Sequence, residues 1–168
     1  MAEMELIPKW TGVKEGYIDS EGNWVIDPIF DVAEHFQSNG LARVCVKGLW
    51  GVINMHGGWI VRPKFAQLFA FEDGLALFRF DTESEIWGYI DTEGRRIPGS
   101  FRDAMPFSHG VAFVSQNGKE YGLIDRKGNW LRKPVWSQFR GFDSDGFAEV
   151  ESAFDGEWSR VDTKGRDC

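Results

Sequence analysis

The stretch from Leu41 to Phe65 sets the grammar of the chain. Three short apolar runs, Leu41-Ala-Arg-Val-Cys-Val46, Leu49-Trp-Gly-Val-Ile53 and Trp59-Ile-Val-Arg62, are separated by glycine-bearing turns. Runs this short and this rich in Val, Ile and Trp predict β-strands, and none is long enough for a helix. They form strands a, b and c of an antiparallel meander. Alternation along b places Trp50, Val52 and Asn54 on one face and Gly51 and Ile53 on the other. Both faces are therefore expected to be covered, the glycine side by close packing against a neighbouring unit.

The centre of this pattern recurs. Gly16-Tyr-Ile-Asp-Ser-Glu-Gly22 returns in phrases starting at Trp50, Trp87, Tyr121 and Trp158, the last with Ser159 in place of the first glycine. The closing glycines, 22, 57, 94, 128 and 165, are 35, 37, 34 and 37 residues apart, a period that signals a tandem array. Within each phrase a short polar side chain, Asp19, Asn54, Asp91, Asp125 or Asp162, can accept hydrogen bonds from N–H groups just ahead while the glycine closes the loop. We read these five as structural b–c turn caps, not as acid–base or metal-binding groups. Lys47-Gly48, Asn117-Gly118 and Asp155-Gly156 predict two-residue a–b hairpins, with Asn117-Gly118 the strongest signal.

After strand c come segments bracketed by aromatics, at 30–36, 65–71, 101–107 and 136–142, each leading to a Gly-apolar-Ala phrase that opens the next strand a. Strands c and a run the same way, so the connector crosses back and forms a short fourth strand in places. Six tryptophans hold repeat positions: Trp24, Trp59 and Trp130 at the start of c, and Trp50, Trp87 and Trp158 in b. Indoles in register are first a core device. Trp10 and Trp136 fall outside that register.

The expected fold is all-β: one domain, 1–168, of tandem meanders of about 36 residues. Such units stack radially as propeller blades or linearly as an open β-solenoid. The chain reads as opening with b and c near 16–29 and finishing with a and b near 146–162, leaving Met4 to Val13 as a capping segment. Because closure protects strand edges, the preferred form is a propeller-like array of about five short blades.

Charge narrows the partners. A net charge of −7 and a pI near 5.0 argue against nucleic acid and suit attraction to a basic protein. The two cysteines, Cys45 and Cys168, make neither a disulfide scaffold nor a metal-ligand pair, and no cofactor motif appears. His35, His56 and His109 occupy different repeat positions, so no catalytic constellation emerges and the chain reads as a non-enzyme. The acidic start lacks a positive signal-peptide region, and no apolar stretch could span a membrane, which reads as cytoplasmic.

The phrases Trp/Tyr-Gly-x-Ile-Asp-x-x-Gly, Trp-x-x-x-Pro-x-Phe and Phe-x-x-Gly-Leu-Ala, spread from Gly16 to Gly165, resemble the WG-repeat (KWG-repeat) family of bacterial β-repeat proteins. Glu15, Arg96, Pro98-Gly99 and Ser159 depart from its pattern. The resemblance implies a binding platform, and several small members look like immunity proteins encoded beside toxins; it supplies no catalytic residues. The a–b loops add a direction. They carry Asp81, Glu83, Glu85, Glu120, Glu151, Asp155 and Glu157 against Lys47 and Lys119, whereas charges on the b–c loops cancel. The longest a–b loop, Phe80 to Ile86, holds three of these carboxylates. The leading expectation is a module that binds a basic protein, such as a toxin it occludes, through this edge. The alternative is a lectin-like protein using Trp10 or Trp136 as exposed aromatics.

Overall fold

The computed structural model describes residues 5–168, and within them every regular element is a strand. Sixteen strands follow in order: β1 Ile7–Trp10, β2 Glu15–Ile18, β3 Trp24–Phe30, β4 Val32–Ala33, β5 Leu41–Val46, β6 Leu49–Asn54, β7 Trp59–Phe65 and β8 Gln67–Glu72. Then come β9 Leu75–Arg79, β10 Trp87–Asp91, β11 Asp103–Ala104, β12 Val111–Ser115, β13 Tyr121–Asp125, β14 Trp130–Phe139, β15 Phe147–Ser152 and β16 Trp158–Asp162. All pairings are antiparallel. Sheet orders are β1-β2-β3, β4-β5-β6-β7, β8-β9-β10 and β11 through β16, the last joined because β14 runs unbroken from one unit into the next.

Each unit is thus a meander of strands d, a, b and c, where d is the connector of the preceding repeat. A repeat counted from the Trp-Gly phrase contributes b and c to one unit and d and a to the next. Adjacent sheets are stitched by the chain itself at Phe30-Asp31-Val32, Phe65-Ala66-Gln67 and Phe101-Arg102-Asp103. In the first unit β1 takes the place of strand a, with Ile7 opposite Ile18 and Trp10 opposite Glu15. In the segment expected to be a cap, Met4 to Val13, Met4 lies outside the described residues and Ile7–Trp10 is a sheet strand. Ile7-Pro-Lys-Trp10 lacks the Gly-apolar-Ala phrase that marks strand a elsewhere.

Four apolar clusters join five units in series. Tyr17, Ile26 and Phe30 pack on Ala42, Val44 and Ile53; Val52, Val61 and Phe65 pack on Ala76, Phe78 and Ile90. Leu77, Tyr89 and Phe101 then meet Ala112, Val114 and Ile124, and Phe113, Leu123 and Trp136 meet Ala148, Val150 and Val161. Strand b alternates as its sequence dictates, Val52 facing forward and Ile53 back. Among the described residues no cluster joins the fifth unit to the first, so the propeller-like array is an arc.

The two ends of the arc differ. On the last unit, Glu149 pairs with Arg160 across β15 and β16 at positions held earlier by Leu77 with Tyr89 and by Phe113 with Leu123. Arg140 bonds Glu149, Arg160 reaches Asp143 at 2.7 Å, and the Arg160 guanidinium lies 4.3 Å from the Phe147 ring centre. A polar outer face is how stacked repeats end without exposing core. The first unit instead presents Ile7 and Trp24, 39% and 43% exposed, where the second unit buries Ala42 and tucks in Trp59.

The glycine of the Trp-Gly phrase has a cause different from the one expected. A Cβ on Gly16, Gly51 or Gly122 would lie 2.5, 2.6 or 2.5 Å from the carbonyl oxygen of Ile26, Val61 or Arg132. The backbone pressing on it belongs to strand c of the same sheet, bulged at Pro28, Pro63 and Pro134, and not to a neighbouring unit. In unit three Pro98-Gly99 breaks strand c into isolated bridges, and Gly88 meets the Phe78 ring instead. Arg96, standing where other units have tryptophan, lays its guanidinium 5.3 Å from that ring's centre.

Of the predicted a–b hairpins, Lys47-Gly48 is a two-residue turn with both φ positive, 54° and 79°. Asn117-Gly118 and Asp155-Gly156 are not. Ser115 pairs with Tyr121 and Glu151 with Trp158 across longer loops. The Asn117 side chain accepts from the N–H groups of Lys119 and Glu120, both at 2.9 Å, so it caps the loop from a conformation with negative φ. Two-residue turns with both φ positive occur instead between d and a, at Asp73-Gly74 and His109-Gly110.

Candidate functional site: the a–b edge

The edge that carries the a–b loops is built from strand ends, so its side chains are placed by register. Unit three contributes the long loop after β9. Asp81 turns inward on it: its Oδ1 accepts from the N–H of Glu83 at 3.0 Å and from that of Ser84. Those bonds, led by the one from Ser84, hold its carboxyl below the usual range. Glu83 and Glu85 point to solvent, Glu85 within 3.5 Å of Arg102. Glu120 accepts from Asn117 Nδ2 at 3.2 Å. On unit five, Glu151 is spoken for by Ser137 and Gln138 at 2.7 and 2.8 Å, Asp155 accepts from the Glu157 N–H at 3.1 Å, and Glu157 is exposed. A hydrogen bond from Ser152 is the main reason the Asp155 carboxyl sits low.

The seven carboxylates therefore spread over three consecutive units. Among the described residues no three His, Cys, Asp or Glu side chains gather in a way that could hold a metal ion. Glu85 stands on the wall of a cleft of about 720 Å³ between the hairpins of units three and four, lined also by Arg79, Trp87, Arg102, Asp103 and the loop 116–119. Arg79 and Arg102, which loop counting passed over, put positive charge into this edge. Lys14 does the same in unit one, where it bonds Asp31. They escaped because they lie in strand a, in the c–d crossing and in the first hairpin, which the topology folds onto one edge.

The opposite edge is uniform. Asp19, Asn54, Asp91, Asp125 and Asp162 each accept from the N–H groups two and four residues ahead, at 2.8 to 3.0 Å. Arg166 adds bonds to Asp162 that bring its carboxyl to about 2. For Asp91 and Asp125 burial works upward, and hydrogen bonds from Arg95 and Asn129 outweigh it. In the four aspartates the second carboxylate oxygen is also engaged, by Asn23, Arg95, Asn129 or Arg166, and the single amide oxygen of Asn54 accepts twice.

Trp136, offered as an exposed ligand platform, is 2% exposed and packs edge-on against Phe113. It stands where Phe30, Phe65 and Phe101 stand in earlier units, two residues after the bulge proline in units one, two and four. Trp10 is exposed on β1. Tyr17 and Tyr89 are buried, and each hydroxyl donates at 2.6 Å to a carbonyl of the next unit, Glu34 and Met105. No helix among the described residues is long and apolar enough to cross a membrane.

Solved structures match the arc. Hsv2p of Kluyveromyces lactis superposes with a TM-score of 0.54 at 12% identity, over 96% of this chain and 59% of that one. BamB from Moraxella catarrhalis gives 0.46 at 12%, over 96% and 56%. The chain thus spans under two thirds of the length of each, and the likeness to Hsv2p, at such identity, is one of fold alone. No curated protein matches it by sequence. The model of the WG containing repeat matches at residues 16–50, 50–81, 87–119 and 121–158, each match running b, c, d, a across two units. The chain belongs to the WG-containing repeat family.

Proposed function

We propose that this chain is a non-enzymatic binding module that takes a basic protein partner on its a–b edge, and that it acts as an immunity protein by covering a toxin. The observation that carries the reading is the loop 80–86. It is the place where the a–b hairpin departs furthest from the repeat, and it holds Glu83 and Glu85 in solvent on a frame fixed by the Asp81 cap. Loops that break a repeat on one edge are where arrays place recognition. The acidic overall charge draws a basic partner over a Debye length of roughly 8 Å at physiological salt.

The test is affinity capture with the tagged chain from its native lysate, beside an Asp81→Lys, Glu83→Lys, Glu85→Lys variant. A basic protein held by the wild type and lost by the variant supports the reading. Equal retention by both, or none by either, refutes it. Rescue of growth on co-expression with the captured protein then tests immunity itself.

A further inference from the structure

The a–b edge carries apolar groups beside its charge. Among the described residues, no exposed large hydrophobic side chain lies on a b–c or d–a turn, whereas Val13, Phe80, Ile86 and Phe154 stand on a–b loops. Phe154 is the extreme case, 96% exposed, and its ring belongs to none of the four apolar clusters. The loop that holds it is tied down. The Ser152 N–H donates to the Glu157 carbonyl at 2.9 Å, and the Gly156 N–H to the Ser152 carbonyl at 3.0 Å. The N–H of Phe154 itself donates to Ser152 Oγ at 3.2 Å, and that of Ala153 to the Val135 carbonyl at 2.9 Å. Val135, also exposed, thus sets a second apolar residue beside the loop. The arginines of this unit, Arg140, Arg160 and Arg166, pair with Glu149, Asp143 and Asp162, which leaves Glu151, Asp155 and Glu157 without an ion pair among the described residues.

We infer that Phe154 is the apolar anchor of the a–b edge, and that its occupant is an amphipathic basic segment of the partner, with apolar side chains covering the ring and lysine or arginine facing Asp155 and Glu157. This deepens, and rests on, the reading of that edge as the face that takes a basic protein. An aromatic ring left in water on a fixed loop gives up little freedom when it is covered, so its burial passes almost whole into affinity. Covering such a ring is worth about ten- to a hundred-fold. The two kinds of side chain divide the work: carboxylates speed the encounter, and a buried aromatic slows dissociation. A wholly apolar occupant would strip water from Asp155 and Glu157 without replacing it. A purely basic one would leave the ring in water. Only a segment that is both satisfies the loop.

The test pans a library of random short peptides, displayed on phage, against the intact protein, then measures the winning peptides by surface immobilisation. Three variants run beside the wild type: Phe154→Ala, the pair Asp155→Asn with Glu157→Gln, which keeps the oxygen that caps the loop, and Asp81→Lys with Glu83→Lys and Glu85→Lys. All the exchanged residues are on exposed loops, and circular dichroism checks that each variant keeps the native fold. Enrichment of peptides holding both Lys or Arg and large apolar residues is expected. Phe154→Ala should weaken them about ten-fold or more through faster dissociation at an unchanged association rate, and the Asp155→Asn, Glu157→Gln pair should slow their association. Basic peptides that bind Phe154→Ala as tightly as the wild type, yet are lost by the lysine variant, overturn the inference and leave the acidic-edge reading standing. Apolar peptides without Lys or Arg overturn both. No peptide enriched above an empty surface overturns the inference as well.

Discussion

Replacing Gly122 by alanine should be among the most damaging one-carbon changes in this chain. The new Cβ would sit 2.5 Å from the Arg132 oxygen, 2.7 Å from the Trp130 ring and 2.8 Å from the Pro134 nitrogen. Ordinary contact begins near 3.4 Å, so strand c must retreat by almost an ångström, and its bulge is pinned by Pro134. Overpacking of this kind costs about 1–3 kcal/mol, and a backbone obstacle belongs at the upper end. The stiffer unfolded chain returns about 0.4–1 kcal/mol, leaving roughly 2 kcal/mol net. Gly88→Ala is the internal control, because its Cβ would meet side chains and no backbone, the Phe78 ring at 2.9 Å and Arg96 Nη2 at 3.5 Å, in a unit whose strand c is broken. Its cost should stay near 1 kcal/mol. Urea unfolding followed by circular dichroism ranks the variants, and thermal unfolding of Gly122→Ala should show a loss in Tm of about 4–8 °C. Equal stability of the Gly122→Ala and Gly88→Ala proteins, within about 0.5 kcal/mol, would refute the account of the Trp-Gly glycine.

Tyr89→Phe should cost about 1–2 kcal/mol in the same assay, since it strands the Met105 carbonyl, and its effect should add to that of Tyr17→Phe because the two bonds serve different junctions. Trp130→Ala, which removes an edge-on contact with Phe101, should destabilise by about 3–5 kcal/mol, whereas Trp24→Ala at the open end should cost clearly less; equal losses would mean that the first unit is covered. The Asp162 carboxyl is lowered in the fold, so its contribution is complete above the unfolded value near 3.9 and fades as pH falls toward about 2. Acid titration of stability should therefore show Asp162→Asn trailing the wild type at pH 5 and matching it near pH 2; a gap that persists at pH 2 would contradict the assignment.

Local pattern carried much of this fold. Strand b and its alternation, the Asp-x-x-Gly turn and the five-fold repetition were all legible, because each is fixed within about eight residues. The sheet frame was harder. The repeat is punctuated at b, but sheets close as d-a-b-c, and only pairing partners reveal that offset. β1 was hidden for the same reason: a first strand a made by a segment outside the repeat carries no phrase. Asn117-Gly118 misled because side-chain capping offers asparagine an alternative to positive φ. The place of Trp136 could have been found, since Pro134 stands two residues before it, as Pro28 and Pro63 stand before Phe30 and Phe65. The acids of the a–b edge were visible as loop composition, but Arg79, Arg102 and Lys14 were not, because strand and crossing residues reach that edge only through the fold.

The most direct test of the binding account is the association rate of the captured partner, measured by surface immobilisation at low and high salt. Steering by the acidic edge predicts that the Asp81→Lys, Glu83→Lys, Glu85→Lys protein associates about ten-fold or more slowly at low salt, that the gap narrows as salt rises, and that dissociation changes little. Equal association rates at low salt would contradict the claim that this edge recognises a basic protein.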